Sequence, residues 1–184
     1  MWKYESHRHM LARKGIRTVF KKGKSYKTRS PAEVIALARQ MKASLKPYAE
    51  KIEIAGSIRR KRPDPIDVDI VMVPKDKLKI AEVLEKKGKI TTSGAESIAA
   101  NVKGVKVDIR YSSKEEWPTQ LLTYSGPFSG NIGLRVAAKK KGWKLSQHGL
   151  YDKAGKRIPV HSEQDVYRKL DISYRQPEER GLPK

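Results

Sequence analysis

The stretch Gly56-Ser57-Ile58-Arg59-Arg60, followed by Ile66-Asp67-Val68-Asp69-Ile70-Val71-Met72-Val73 and later by Val105-Lys106-Val107-Asp108-Ile109-Arg110, decides how this chain folds. Successive side chains of a strand point to opposite faces, so Asp67 and Asp69 share one face while Ile66, Val68, Ile70 and Met72 share the other. The run around Asp108 alternates in the same way, with Val105, Val107 and Ile109 opposite Lys106, Asp108 and Arg110. Pairing the two strands would bring three carboxylates together on one side of a sheet whose other side is apolar.

Such a trio suits a hard cation. Magnesium prefers octahedral oxygen coordination and is held by a few carboxylates together with substrate phosphates. In a two-metal site, with ions roughly 3.5–4 Å apart, one ion lowers the pKa of an attacking hydroxyl and the other stabilises a departing pyrophosphate. Asp67 and Asp69 would bridge both ions, and Asp108 would sit beside the attacking hydroxyl and could help remove its proton. The upstream Gly-Ser-x-x-Arg answers a separate need. Gly56 lets backbone approach a triphosphate, Ser57 offers a hydroxyl and amides, and Arg60 a cationic fork. An isolated Asp-x-Asp would read as a solvated strand face. The combination of Gly-Ser, arginines, Asp-x-Asp and a second acid-bearing strand reads instead as metal-dependent nucleotidyl transfer, with Asp67, Asp69 and Asp108 as metal ligands and catalytic groups.

The chain has 184 residues, enough for one generous domain or two small ones with a real core. It has no cysteine, which excludes disulfides and cysteine-ligated zinc. The histidines give no zinc set either: His7 and His9 form a lone pair, and His148 and His161 stand apart. No apolar run reaches membrane-spanning length and the start lacks a secretory apolar core, so an intracellular protein is expected and no membrane partner. Forty-one Lys and Arg against 20 Asp and Glu give a formal net charge of +21. That excess implies a polyanionic partner bound in a salt-sensitive way, although a ribosomal-type, membrane-surface or histone-like protein would share it.

Residues 1–29 hold ten Lys or Arg and one acid, Glu5. They read as a short helix near 5–14 and then a basic arm without sustained period, in which Lys21, Lys22 and Lys24 could track a phosphate backbone. Ser30-Pro31-Ala32-Glu33 opens a helix to about Leu45 with an inward stripe of Val34, Leu37, Ala38, Met41 and Leu45. Strands follow at 51–55 and 66–73, then a helix over 75–87 with Leu78, Ala81 and Leu84 inward. Short strands at 90–92, 97–102 and 105–111 complete an α+β unit, a mixed sheet with helices, with Lys103-Gly104 as a hairpin turn. Beyond a helix over 115–124, Gly126-Pro127 reads as a joint where a cis bond is affordable. A second, small α/β unit follows, with helices over 129–141 and 163–170 and short strands between. The expected division is a basic arm over 1–29, a catalytic unit over 30–125 and a second unit over 126–184.

From about Ser30 to Arg180 the sequence resembles the palm and thumb of family X DNA polymerases, the polymerase beta group. Gly56-Ser57-x-x-Arg60 with Asp67-x-Asp69 is similar to that family's phosphate grip and first two metal ligands, and Asp108 to the third. Leu122-Thr123-Tyr124-Ser125-Gly126-Pro127 occupies the place of its Tyr-Phe-Thr-Gly segment beside the incoming sugar. Asn131 matches an asparagine that contacts the nucleotide base, and Arg135 an arginine that touches the template. Tyr174-Arg175-Gln176-Pro177-Glu178-Glu179-Arg180 resembles the closing Tyr-Arg-Glu-Pro-x-x-Arg. The resemblance implies that Gly56, Ser57, Arg60, Thr123, Tyr124, Gly126 and Asn131 hold the nucleotide. It also implies that Arg110, Arg135, Lys139, Lys140 and Lys141 line the DNA.

The implied function is a DNA-directed DNA polymerase using two Mg2+ ions, for which Mn2+ can substitute. It would add a dNMP from a dNTP to a primer 3′-OH on primer-template or gapped DNA, as in short-gap repair. Template-independent or RNA-directed transfer on the same site, and a non-catalytic basic DNA-binding module, are the alternatives. An oligomer is not implied. Because only a basic arm of 29 residues precedes the palm, lyase activity is not expected. Thr123 stands where the family commonly has an aromatic, which predicts weak sugar discrimination. Single-turnover incorporation should therefore differ little between a ribonucleotide and its deoxy counterpart, and a large preference for the deoxynucleotide would refute this.

Overall fold

The computed structural model describes Gly15, residues 17–21 and residues 24–181. The expected helix over 5–14, the His7 and His9 pair and Lys22 lie outside the described residues. The first described elements are β1 (Arg17–Lys21) and β2 (Lys24–Thr28), paired antiparallel with Val19 opposite Tyr26. The arm is thus a hairpin here rather than an aperiodic stretch, and its anchors explain why. The Arg17 guanidinium reaches Asp64 at 2.5 Å and the Pro65 carbonyl at 3.1 Å, and the buried Thr28 hydroxyl donates to the Ile66 carbonyl at 2.6 Å. These partners lie about forty residues away in sequence, beyond the reach of any local pattern.

Helix α1 (Pro31–Leu45) begins with the expected capping box, in which the Ser30 hydroxyl accepts from the Glu33 amide and Glu33 accepts from the Ser30 amide. Strand β3 (Ala49–Ile54) leads into the single helical turn α2 (Gly56–Arg59), and β4 (Asp67–Pro74) follows. After α3 (Lys77–Lys87) come β5 (Lys89–Ser93), β6 (Ser97–Val102) and β7 (Val105–Tyr111). The sheet order is β3-β4-β7-β6-β5, with β4 and β7 parallel and the other neighbours antiparallel. Lys103 and Gly104, both at positive φ, make the turn between β6 and β7.

One sheet face is covered by α1 and α3. Val34, Ala38, Met41 and Leu45 pack with Val68, Ile70, Met72, Val107 and Ile109 in a single buried cluster. Each such side chain contributes about 1.5–3 kcal/mol of burial. Helix α3 departs from expectation in one respect: Ile80 and Leu84 are fully buried, whereas Leu78 is 78% exposed. Asp76 caps the helix through the Lys79 amide, and at about 100° per residue Ile80 and Leu84 fall on one side and Leu78 nearly opposite.

The other face is divided. Its far end is covered by α4 (Trp117–Ser125), where Leu121 buries Val71 and Ala55, so that β4 is apolar on both sides beyond Asp69. Its near end carries the aspartates. The chain then passes a cis Gly126-Pro127 bond into α5 (Phe128–Lys140), strands β8 (Lys144–Ser146), β9 (Gly149–Tyr151) and β10 (Arg157–Ile158), and α6 (Glu163–Lys169). Leu122, Leu134, Ala138, Leu145, Leu150, Val166 and Tyr167 form a separate second core.

The two cores are joined by charge. Glu163, at the start of α6, accepts from Arg59 through both carboxylate oxygens, at 2.9 and 2.5 Å, and from Arg180 at 2.8 Å. Arg180 is almost wholly buried and lies over the edge-to-face pair of Tyr167 and Tyr174, 5.7 Å from each ring centre. Desolvation works against the Glu163 carboxylate, but the two arginines outweigh it and hold its pKa below the ordinary value. Its stabilising effect is therefore complete above the unfolded glutamate pKa and is lost as pH falls through the lower folded value. We expect Glu163→Ala, which strips the partner from buried Arg180 and half-buried Arg59, to cost about 3–5 kcal/mol in urea unfolding at neutral pH. Glu163→Gln should cost less. Both deficits should shrink as wild type is acidified below the unfolded glutamate value of 4.5.

Candidate active site

The parallel pairing of β4 and β7 sets Asp69 directly beside Asp108, and Asp67 beside Lys106. The register thus brings the three acids onto one patch of sheet. Asp69 is the innermost. Desolvation, then the charges of Asp67 and Asp108, push its pKa up to about 7, with Lys106 and Arg60 only partly offsetting them. Asp108 is engaged by cations of its own strand, the Lys106 ammonium at 2.9 Å and the Arg110 guanidinium at 3.4 Å. Hydrogen bonding to Asp108 in turn raises the Lys106 pKa. Among the described residues no three His, Asp or Glu side chains are closed into a metal-holding cluster. The acids are neighbours, with Asp108 drawn toward Lys106 and Arg110.

The upstream segment is fitted around Asp69. Gly56 has φ of +57°, and a Cβ built on it would lie 1.8 Å from Asp69 Oδ2. Two requirements, a left-handed backbone and a space occupied by carboxylate, therefore meet at one residue that only glycine satisfies. The Ala55 amide donates to the Asp69 carbonyl at 2.8 Å and fixes this approach. One turn further on, the buried Ser57 hydroxyl and the buried Arg60 Nε have no hydrogen-bond partner. Two orphaned donors within one helical turn, beside a carboxylate cluster, fit an incoming oxyanion such as a triphosphate. Desolvation first, and then neighbouring Arg62, lower the Arg60 pKa, while Asp69 and Asp67 oppose this.

Arg60 also donates to the Ser125 carbonyl and packs against Gly126, which would place a Cβ 3.1 Å from its Nη1. The end of α4 thereby abuts the grip. Tyr124 lies under the Arg110 guanidinium at 5.1 Å, so Arg110 connects Asp108 to the segment expected beside the sugar. The Asn131 amide donates to the Thr123 carbonyl at 2.8 Å and ties α5 back to α4. Arg135, Lys139 and Lys140 are exposed along α5. Lys141 is committed elsewhere: its ammonium lies 2.7 Å from the Lys169 carbonyl, 2.5 Å from Asp171 and 5.0 Å from the Trp143 ring centre. Lys21 and Lys24 close the hairpin opposite one another.

Sequence reasoning overlooked the clamp of Arg59 on Glu163. Its one available signal was the Arg59-Arg60 doublet, since neighbours on a helical turn are about 100° apart and extend in different directions.

The fold and site define a nucleotidyltransferase. A DNA polymerase beta thumb model matches residues 120–181. The chain is 28% identical over 148 residues to the repair DNA polymerase X of African swine fever virus (isolate Warthog/Namibia/Wart80/1980), covering 74% of this chain and 84% of the viral one. It is 32% identical over 83 residues to the DNA nucleotidylexotransferase of Xenopus laevis, covering 44% of this chain and 16% of that protein. The crystal structure of Leishmania infantum polymerase beta in a ternary P/T complex shares the fold, with a TM-score of 0.73 at 24% identity over 83% of this chain and 76% of that one. Over most of its length the chain is thus similar to DNA polymerases of the X and beta type.

Two measurements test the electrostatics. Because the folded Asp69 pKa lies above its unfolded value of 3.8, wild-type stability without metal should fall as pH rises from 3.8 to about 7. Asp69→Asn should therefore raise the metal-free melting temperature by an increment that grows through that window and levels off above it. Gly56→Ala should displace the Asp69 carboxylate and lower activity by at least about tenfold, while the melting temperature falls by only a few degrees.

Proposed function

We propose that the chain is a DNA-directed DNA polymerase that adds one dNMP at a time to a primer 3′-OH, on primer-template and short-gapped DNA, and works within the cell in repair. The observation that carries this reading is the in-register placement of Asp69 beside Asp108, with Asp67 two residues from Asp69, next to the open Gly56-Ser57-x-x-Arg60 turn. The viral relative is named a repair polymerase, and the Leishmania neighbour is in a primer-template complex. Both support DNA as the partner. Residues 30–125 act as palm and residues 126–184 as thumb.

The all-oxygen donor set of Asp67, Asp69 and Asp108 suits Mg2+, with Mn2+ as a substitute, and two such ions would supply Lewis-acid activation of the hydroxyl and charge neutralisation on the phosphates. Ser57 Oγ, Arg60 and the amides near Gly56 hold the β- and γ-phosphates and stay with the departing pyrophosphate. The primer 3′-oxygen attacks the α-phosphorus, the bond to the β-bridging oxygen breaks, and the hydroxyl proton leaves toward the Asp108 carboxylate. For this, Asp108 must exchange its contact with Lys106 for the reacting centre. Lys106 and Arg110 are then free for primer phosphates. Thr123, Tyr124 and Gly126 border the sugar, Asn131 the base, and Arg135 the template.

The similarity to a DNA nucleotidylexotransferase favours one second reading, template-independent end addition on the same residues. Labelled-primer extension with Mg2+ on templated, gapped and single-stranded substrates separates the two. We expect template-matched incorporation, strongest on short gaps, and a loss of about 10²–10⁴-fold in Asp108→Asn. Incorporation that ignores the template would establish end addition, and none on any substrate would sink the enzymatic reading.

A further inference from the structure

Between Gly126 and Val160 the chain carries eight Lys or Arg and a single acid, Asp152. That acid is used locally, since its carboxylate accepts from the Ala154 and Lys156 amides at 2.9 Å each. In the middle of this positive region, where α5 ends and the β8–β9 hairpin begins, a cavity of about 500 Å3 opens between Gly142–Lys144 and Tyr151–Gly155. Trp143 and Tyr151 line it, both half-buried, and Lys144 and Lys153 are exposed at its rim. Cations already address both rings: Lys141 lies 5.0 Å from the Trp143 ring centre, and Arg157 lies 5.4 Å from that of Tyr151. The bend that forms the cavity is specific, because Gly142 has φ of +72° and a Cβ there would strike the Lys153 stem at 2.2 Å.

A packed core needs no ring of lysines, and a duplex-phosphate contact needs no aromatic floor. The two together match unpaired nucleic acid, whose bases stack on aromatic faces while lysines take the phosphates. Base pairs hide those faces, so a duplex would not use the floor. Position selects which strand. Helix α5 starts beside Gly126 and Asn131, where the nucleotide is proposed to sit, and its 13 residues span about 20 Å to the cavity. That distance corresponds to roughly six nucleotides if the unpaired strand keeps the ~3.4 Å per phosphate of a duplex strand, and to fewer if it is extended. Arg135, Lys139 and Lys140 are exposed along the way.

We propose that the Trp143–Tyr151 cavity is a stacking subsite for single-stranded DNA template ahead of the primer end, an inference that rests on the primer-template reading above. Lys144 and Lys153 hold the flanking phosphates, and the cavity fixes an unpaired base several nucleotides from the reaction. The full chain would then sense how much unpaired template lies ahead.

The test is equilibrium binding, by fluorescence anisotropy and without metal or nucleotide, of labelled primer-templates whose 5′ overhangs are one or about eight nucleotides long. Wild type should bind the long overhang at least about fivefold more tightly. Trp143→Ala should abolish that gain while binding the short overhang unchanged, and Trp143→Phe should keep most of it. Lys144→Ser with Lys153→Ser, two exposed positions that leave the core intact, should reduce the salt slope for the long overhang by about 1.4, or ~0.7 per lost phosphate contact. An equal overhang gain in wild type, Trp143→Ala and the double serine variant overturns the proposal, as does a wild type that ignores overhang length. Binding needs no catalysis, so overhang sensing without primer extension would remove the polymerase reading and leave the subsite standing.

Discussion

Three carboxylates on adjacent strands are the constraint from which much of this structure follows. A parallel β4–β7 pair leaves Asp69 and Asp108 side by side with Asp67 close at hand, and like charges so placed repel. Desolvation adds to the repulsion at Asp69 and raises its pKa to about 7. The surrounding residues answer that charge. Gly56 leaves out its side chain where the Asp69 carboxylate must stand, Arg60 closes in from the α2 side, and Lys106 and Arg110 hold Asp108 from its own strand. The apolar side of the same strands pays no such penalty. Val68, Ile70, Val107 and Ile109 bury fully under α1 and α3, and that packing holds the acids in register.

The doublet Arg59-Arg60 divides its work by direction. Both reach Ser125 at the end of α4, Arg60 its carbonyl and Arg59 its hydroxyl at 2.5 Å, but Arg60 also faces the carboxylates whereas Arg59 closes on Glu163. One helical turn therefore carries both the proposed phosphate grip and the link to the second core. The link is a buried ion cluster, whose desolvation is expensive and whose geometry is correspondingly demanding: Glu163 serves two arginines, and Arg180 adds the Arg175 carbonyl and two tyrosine rings. Arg62 and Lys61 extend it, with Arg62 donating to the Arg180 carbonyl and Lys61 pairing with Glu178 at 2.8 Å. A change of position in the second core would therefore be felt at Gly56 to Arg60, next to the acids.

Positive charge is distributed in kind as well as amount. Arg17, Arg59, Arg180 and Lys141 are bound into the fold by carboxylates and carbonyls. Arg135, Lys139, Lys140, Lys144 and Lys153 stand exposed on α5 and the strands after it. The net charge of +21 therefore understates the contrast. The exposed cations between Gly126 and Val160 have a single acid, Asp152, in their segment, whereas those of the first unit sit among glutamates such as Glu33, Glu53 and Glu82.

Local chemistry alone made much of this legible. Alternation placed the three aspartates opposite an apolar face, Ser30 to Glu33 announced its helix, and Lys103-Gly104 its turn, because each depends on residues within a few positions. Leu78 was misplaced because a short helix with two candidate apolar stripes is oriented by its cap and by what it packs against. The hairpin of residues 17–28 escaped because its anchors at Asp64, Pro65 and Ile66 are distant in sequence. By itself, then, the sequence determined which residues are acidic, how they are spaced and which faces are apolar, since strand and helix periods follow from backbone geometry. Only the tertiary structure decided that β4 and β7 run parallel, that Asp69 meets Asp108, and that Arg59 closes on Glu163. Strand register and ion pairing between distant segments are settled by packing the whole core at once.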